Sequence, residues 1–362
     1  MTRALTLHDV FDADALAAAL NDGYVKRQRH AELPYVIYNY TEKAQYESAW
    51  TPVTLACRGL IVDERDGGVV ARPYRKFFNH DQPDAPPLDV TAPAAVTDKL
   101  DGSLGILYRE PSGAVAVATR GSFASTQAVR ATGVLRARYP DFTPPAGLTV
   151  LVEVIYPANR IVLDYGGLDD LVLIGAVDNA TGRGHGPEAV PEWPGPVVER
   201  MPYPTLAAAL AAPPRDNREG MVVHFPDTDH RVKIKYAEYV RLHRLVTGLN
   251  ARMVWEAVVA GALDDIVAGL PDEFHLWVRT VAGELTATVT GRAAAVEAAY
   301  RELVAALPAG WQRRDFARLA VTHQERGCLF LRLDGKDYRP LLWQEARPAA
   351  DWTPAARRTV ET

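Results

Sequence analysis

The sequence predicts an α+β fold that turns mainly helical in its last third. Short β-type runs bounded by Gly and Pro dominate up to about residue 240, with few helical stretches between them. From Ala237 onward the apolar residues change to helical spacing: Tyr239, Leu242, Leu245 and Leu249, then Val254 and Val258, then Ile266 and Leu270. The runs read as strands are Leu60 to Val62, Leu104 to Tyr108, Ala114 to Thr119, Thr149 to Ile155, Leu171 to Val177, Met221 to Phe225 and Arg231 to Lys235. Helices are expected at Asp12 to Asn21, Ser125 to Tyr139 and Thr205 to Ala212. The Pro-rich stretches Asp81 to Pro93 and Gly186 to Pro204 read as surface connections.

A chain of 362 residues is long enough for a full enzyme core, and its length favours two domains. The boundary falls near 240, giving domains 1–240 and 241–362. With 48% hydrophobic and 23% charged residues the composition is that of an ordinary soluble protein. A net charge of −5 argues against a protein that coats nucleic acid non-specifically and leaves room for a local basic groove. Cys57 and Cys328 are the two cysteines, far apart in sequence, so no disulfide framework or zinc pattern is readable. The first thirty residues lack a basic-then-apolar signal and no apolar run reaches membrane length, so a cytoplasmic protein without a membrane partner is expected.

The segment Thr97-Asp98-Lys99-Leu100-Asp101-Gly102-Ser103-Leu104 carries the sharpest chemistry. A nucleophilic lysine must be held still, partly desolvated and close to a phosphate. A K-x-D-G turn offers this, because Gly102 lets the backbone come near a ligand.

Five further segments place polar residues where a bare core would not. Arg58-Gly59 opens the apolar strand Leu60-Ile61-Val62, and a guanidinium there presents a planar fork to ribose or phosphate; a strand-edge arginine is the alternative. Arg72-Pro73-Tyr74-Arg75-Lys76-Phe77-Phe78-Asn79 combines cations with aromatics, as a base-stacking, phosphate-holding pocket requires, although paired phenylalanines also suit a plain core. Glu153 stands alone in the apolar run Thr149 to Ile155, where an unpaired buried carboxylate costs several kcal/mol. It therefore needs a cation, a metal, a ribose or a wet cleft. Glu219-Gly220 leads into the strand Met221 to Phe225. In Arg231-Val232-Lys233-Ile234-Lys235 the period of two puts both lysines on one face, a pair that suits a polyanion or a solvated sheet face.

In this order, Arg-Gly, K-x-D-G, a lone strand Glu, Glu-Gly and K-x-K resemble the covalent nucleotidyltransferases: DNA ligases, RNA ligases and mRNA capping enzymes. Tyr38-Asn39-Tyr40, the Arg72 to Asn79 run, Asn159-Arg160-Ile161-Val162-Leu163, and Tyr239-Val240 with Leu242-His243 are similar to the phage-type RNA ligase 1 branch, over roughly residues 30 to 270.

The resemblance implies a nucleotidyltransferase domain of ATP-grasp-like antiparallel sheets followed by a helical domain linked with substrate choice. It implies Lys99 as the adenylylated nucleophile, with Asp101 and Gly102 in the same motif. Tyr38, Arg58, Lys76, Glu153, Glu219, Lys233 and Lys235 would meet ATP, and Phe78 would stack or pack near the adenine. Asp264 matches a family aspartate that serves the magnesium site, shared with Glu153; it could otherwise be a plain solvent-facing acid, like its neighbour Asp265. Where the family has lysine this chain has Arg120, which keeps the charge without the point-like geometry, and its expected role is toward substrate. Arg313, Arg314 and Arg318 lie at helical spacing and suit either RNA backbone or a solvated face.

The expected activity is ATP-dependent joining of RNA 5′-phosphate and 3′-hydroxyl ends through a lysyl-AMP and an RNA-adenylate, with Mg²⁺ or Mn²⁺, in RNA repair with tRNA as the candidate substrate. A separate kinase or phosphatase could prepare the ends. A lysine of ordinary pKa, about 10.4, is protonated at neutral pH. Activation of Lys99 is therefore expected from Lys233, Lys235, Arg58, Mg²⁺ and partial desolvation. The rival readings are a DNA ligase or capping-type enzyme, and a non-catalytic RNA-end sensor.

Overall fold

The computed structural model describes residues 5–159, 162–246, 249–270 and 272–349. The chain divides into two compact units, 1–247 and 248–362.

In the first unit the strands are β1 (Val25–Arg29), β2 (Tyr35–Tyr40), β3 (Arg58–Asp63), β4 (Val69–Ala71), β5 (Phe78–Asn79), β6 (Ala95–Lys99) and β7 (Ser103–Arg109). They continue as β8 (Val115–Ala118), β9 (Leu148–Ile155), β10 (Asp170–Asp178), β11 (Gly184–His185), β12 (Arg200–Met201), β13 (Gly220–Phe225) and β14 (His230–Lys235). These form three sheets of order β1-β2-β3-β4, β11-β10-β9-β7-β8 and β12-β6-β13-β14-β5. Neighbouring strands are antiparallel except for β14 and β5. The α+β class with antiparallel sheets and helices at the C-terminal end is thus what the sequence predicted.

The first and second sheets pack face to face through Ile37, Ile61 and Ala71 against Ile106, Leu151 and Val177. The outer face of the first sheet is covered by helices Ala13–Asn21 and Pro52–Ala56, through Leu16, Ala19, Val53 and Ala56 against Val36, Leu60 and Val62. Asp12 and Thr51 cap these helices by accepting from the N–H groups of Ala15 and Thr54. Helix Thr126–Arg138, capped by Ser125, covers the outer face of the second sheet with Ala131 and Leu135.

The stretch Gly186 to Pro204 departs from the surface connection expected of it. Val190, Trp193 and Val198 are buried, and Trp193 closes the core beneath β9 and β10, so proline here shapes a packed segment. The described termini of the expected helices and strands otherwise lie close to their sequence boundaries.

The third sheet is two-faced. Val96, Met221, Val223, Val232 and Ile234 fill a core with Leu206 and Tyr239, while Thr97, Lys99, Val222, Lys233 and Lys235 sit on the half-open face. Lys233 and Lys235 therefore share a face opposite Ile234, as the period of two requires. The turn at residues 100–102 leaves β6 of this sheet and enters β7 of the second, which places the K-x-D-G motif at the junction of two sheets.

The second unit is helical, with Ala251–Ala260, Leu263–Gly269, Asp272–Ala305, Arg313–Ala320, Arg326–Leu333 and Arg339–Glu345. Val296, Phe316, Cys328, Leu329 and Leu342 fill its core. Arg292 bridges Glu325 and Glu345, at 2.7 and 2.5 Å. No helix among the described residues is long and apolar enough to cross a membrane. Cys57 and Cys328 are buried free thiols.

Gly220 has φ +152°, and a Cβ there would lie 1.8 Å from the Ile234 carbonyl oxygen. Backbone strain alone is worth about 1–3 kcal/mol at such a position. Gly220→Ala is therefore expected to lower the unfolding free energy by at least that amount in urea denaturation, whereas Gly23→Ala, with open space around its Cβ, bears only the strain of its positive φ.

Candidate active site

The site is built on strand register. Lys99 at the end of β6 and Lys235 at the end of β14 both lie opposite Gly220, the first residue of β13. The residue before it, Glu219, then reaches both lysines: its carboxylate is 2.7 Å from Lys99 Nζ and 3.0 Å from Lys235 Nζ. Glu219 is 2% exposed. Burial alone pushes its carboxyl pKa up, but Lys99 and Lys235 outweigh that and hold it below the usual carboxylate range. The loop that carries Glu219 is itself tied down, because Arg215 and Arg218 both pair with Asp98 on the buried face of β6. The Lys99 ammonium thus meets an acid that it shares with Lys235.

Gly102 donates its backbone N–H to Glu153 Oε1 at 3.1 Å. A Cβ at Gly102 would come within 2.7 Å of the Val154 carbonyl oxygen and 3.0 Å of Glu153 Cγ, so only glycine lets the turn pass this close to β9. Desolvation is the main cause raising the Glu153 carboxyl to about 7, opposed by Lys99 and Arg58 and reinforced by Glu219 and Asp101. Two carboxylates beside one lysine are thereby driven apart, Glu219 ionised and Glu153 near half-protonated at neutral pH.

Asp101 is committed inward. Its Oδ1 accepts from Tyr239 Oη at 2.8 Å and its Oδ2 from the backbone N–H groups of Val162 and Leu163 at 3.2 and 3.4 Å. Its own N–H donates to Tyr165 Oη at 2.6 Å. Asn159 donates to Ser103 Oγ at 3.1 Å and so joins its turn to the start of β7. Arg160 and Ile161 of the same motif lie outside the described residues.

A second group of candidates clusters on aromatic rings. Arg58 and Lys233 both approach Phe77, at 5.5 and 5.2 Å from the ring centroid. Lys76, 6% exposed, lies 5.2, 5.2 and 5.4 Å from the centroids of Tyr40, Trp50 and Phe78. Arg120 donates to Tyr40 Oη at 3.0 Å, with its guanidinium 5.2 Å from that ring's centroid. The positive φ of Gly59, +103°, lets β3 pass close to the Arg120 backbone: a Cβ there would lie 3.2 Å from the Arg120 carbonyl oxygen.

The structure thus brings together Lys99, Gly102, Glu153, Glu219 and Lys235 at one place, Arg58 with Lys233, and Lys76 with Phe78 and Arg120. Tyr38 packs among Leu16, Val53 and Leu60, and its hydroxyl bonds Arg27. Asp264 belongs to the second unit, where it pairs with Arg279 at 2.8 Å and is 80% exposed. Sequence reasoning assigned no role to Tyr40, Trp50, Phe77, Tyr165 or Tyr239. Tyr239 was visible in the sequence within the helical spacing and the match Tyr239-Val240 and Leu242-His243, with no role attached; Trp50 carried no local signal.

Residues 56–201 match the RNA ligase family model, the span from Ala56 through Lys99 and Glu153 to Met201. Over this stretch the chain is similar to the RNA ligase family. It is also 26% identical to a protein of Thermovibrio ammonificans provisionally named an RNA ligase, over 77% of this chain and 72% of that one. Among solved structures it is similar to an archaeal ATP-dependent RNA ligase, with a TM-score of 0.46 and 16% identity over 90% of this chain and 96% of the other. It also matches a Naegleria gruberi RNA ligase with pyrophosphate, with a TM-score of 0.32 and 19% identity over 42% of this chain and 52% of that one.

Two predictions follow from these carboxylates. Removing Glu219 leaves two buried ammonium groups without their shared partner, so Glu219→Ala should destabilise the ligand-free protein by about 3–5 kcal/mol in chemical denaturation. Glu153 behaves oppositely. Its folded pKa lies above the usual 4.5, so the native state loses stability as pH rises from about 4.5 to about 7, and the full penalty stands above that. At about 1.4 kcal/mol per pH unit the penalty is on the order of 3 kcal/mol. Glu153→Gln, which can still accept from Gly102, should be more stable than wild type at pH 8 and no more stable at pH 4; equal stability at both would contradict the raised pKa.

Proposed function

We propose that this protein is an RNA ligase that joins RNA 5′-phosphate and 3′-hydroxyl ends with ATP as the adenylyl donor, through a covalent AMP on Lys99. The supporting observation is the register that sets Lys99 and Lys235 around buried Glu219, with Lys99 itself inside the segment 56–201 that matches the RNA ligase family.

Lys99 Nζ attacks the α-phosphorus of ATP. The P–N bond forms, the bond to pyrophosphate breaks, and Lys99 gives up its proton. Anionic phosphates drawn to Lys235, Lys233, Arg58 and Lys76 compete with Glu219 for the cations, which frees Lys99 from its ion pair. An oxygen of an RNA 5′-phosphate then displaces Lys99 from phosphorus, and an RNA 3′-hydroxyl finally displaces AMP. Arg120 stands as a substrate contact in this reading and Phe78 as the packing partner of the base, while Tyr38, packed among Leu16, Val53 and Leu60, supports the first sheet instead of meeting the nucleotide. Asp101 acts by holding the turn, through Tyr239, Tyr165 and the 162–163 backbone.

A divalent metal fits Glu153 as a single carboxylate donor. Mg²⁺ binds through one or two carboxylates plus nucleotide phosphates and keeps several waters, and no group of three or more His, Cys, Asp or Glu that could hold a metal lies together among the described residues. Bound there, Mg²⁺ or Mn²⁺ would neutralise phosphate charge. Residues 1–240 are assigned to adenylyl transfer and 241–362 to substrate choice, in RNA repair with tRNA as the candidate and with ends supplied by a kinase or phosphatase.

Incubation with α-³²P-ATP and Mg²⁺, beside GTP and NAD⁺ controls, should label the wild-type protein with ATP alone in an acid-labile adduct. Lys99→Ala should take up no label. Joining of single-stranded RNA ends, with no sealing of nicked DNA, would separate this reading from the DNA ligase. ATP binding without any adduct would favour a non-catalytic RNA-end sensor.

A further inference from the structure

The cage around Lys76 is unusual for a cation this deeply buried. Three rings face it: Tyr40, Trp50 and Phe78, with centroids 5.2, 5.2 and 5.4 Å from its Nζ. The rings brace one another edge to face, Tyr40 to Trp50 at 5.3 Å and 83°, Trp50 to Phe78 at 5.2 Å and 70°. Tyr40 carries a second cation, since Arg120 donates to its hydroxyl and lies 5.2 Å from its centroid.

The Trp50 indole N–H is buried and has no hydrogen-bond partner among the described residues. An unmade buried bond is unfavourable, so tryptophan holds this position at a disadvantage that phenylalanine would not have. What indole offers over phenyl is the strongest cation-binding face. Rings differ from carboxylates in one further respect: they hold a cation without adding a negative charge beside it.

We propose that Trp50 and Tyr40 are positioning residues for the adenylyl-transfer reaction. They fix the Lys76 ammonium, and through Tyr40 the Arg120 guanidinium, as preset cations for the phosphate arm of the nucleotide. The proposal rests on the reading of Lys76 as an ATP contact. The rings touch no reacting atom; they set where the charge stands before ATP arrives, so loss of the Trp50 face weakens nucleotide binding through Lys76, and loss of Tyr40 weakens it through Lys76 and Arg120 together.

The test is a double-mutant cycle on the full-length protein, with ATP affinity by calorimetry and the rate of adduct formation at varied ATP. Trp50→Leu should raise the KM for ATP roughly tenfold, with the maximal rate of adduct formation changed less than about threefold. Trp50→Phe should recover most of that loss, with KM two- to fivefold above wild type. In a Lys76→Ala background, Trp50→Leu should add no further loss. Multiplying losses in the double variant, or an unchanged KM in both Trp50 variants, would overturn the proposal. If Trp50→Leu does not fold, Trp50→Phe carries the cycle. An NMR signal of ¹³C-labelled lysine, assigned by its loss in Lys76→Arg, reads the cage apart from any chemistry. A ring-current shift that Trp50→Leu abolishes is expected, and its absence in wild type would also overturn the proposal. Wild-type protein that keeps the shifted Lys76 signal but neither binds ATP nor forms an adduct would instead bring down the nucleotide reading, and this one with it.

Discussion

One buried carboxylate organises the first unit's chemistry. Glu219 is removed from water and touches two ammonium groups, an arrangement stable only while all three charges are present. Its position follows from backbone register, because β6, β13 and β14 bring Lys99, Gly220 and Lys235 abreast. Gly220 in turn permits the close approach of β13 to β14, and Arg215 and Arg218 on Asp98 hold the preceding loop. A nucleophile placed this way needs little reorganisation when an anionic substrate enters, since what changes is the partner of each cation and not its location.

Glu153 and Asp101 show how the same residue type takes different duties from its surroundings. Asp101 has donors on both oxygens and anchors a turn. Glu153 accepts one backbone bond and is otherwise desolvated, so its proton is loosely held near neutral pH. The strain of an ionised Glu153 is the kind of local instability that functional sites retain.

Much of this was legible in sequence, for identifiable reasons. The strands β9, β13 and β14 announce themselves by short runs rich in β-branched residues, and the helix at Thr126–Arg138 by its length. Lys99, Glu153, Glu219 and Lys235 stood out because charge interrupts apolar pattern. The short strands β5, β11 and β12, two residues each, have no pattern long enough to read. In the mostly exposed or half-buried Gly186 to Pro204 stretch the buried anchors went unread, because prolines mask Val190 and Trp193, whose burial depends on sheet packing elsewhere. Trp50 was invisible for a similar reason. Its partners Tyr40, Lys76 and Phe78 come from other segments, and only tertiary structure joins them.

The two cation clusters solve the problem of burying positive charge in opposite ways. Glu219 stabilises Lys99 and Lys235 by partial neutralisation, a pairing that anionic phosphates must displace before Lys99 can lose a proton and form a bond to phosphorus. The Tyr40, Trp50 and Phe78 rings stabilise Lys76 through their quadrupoles and add no opposing charge. A cation whose task is to attract a polyphosphate is better served by the second device, because a carboxylate at the same distance would repel the ligand it awaits. The division follows the chemistry: an acid beside the group that reacts, and aromatic faces around the group that only holds.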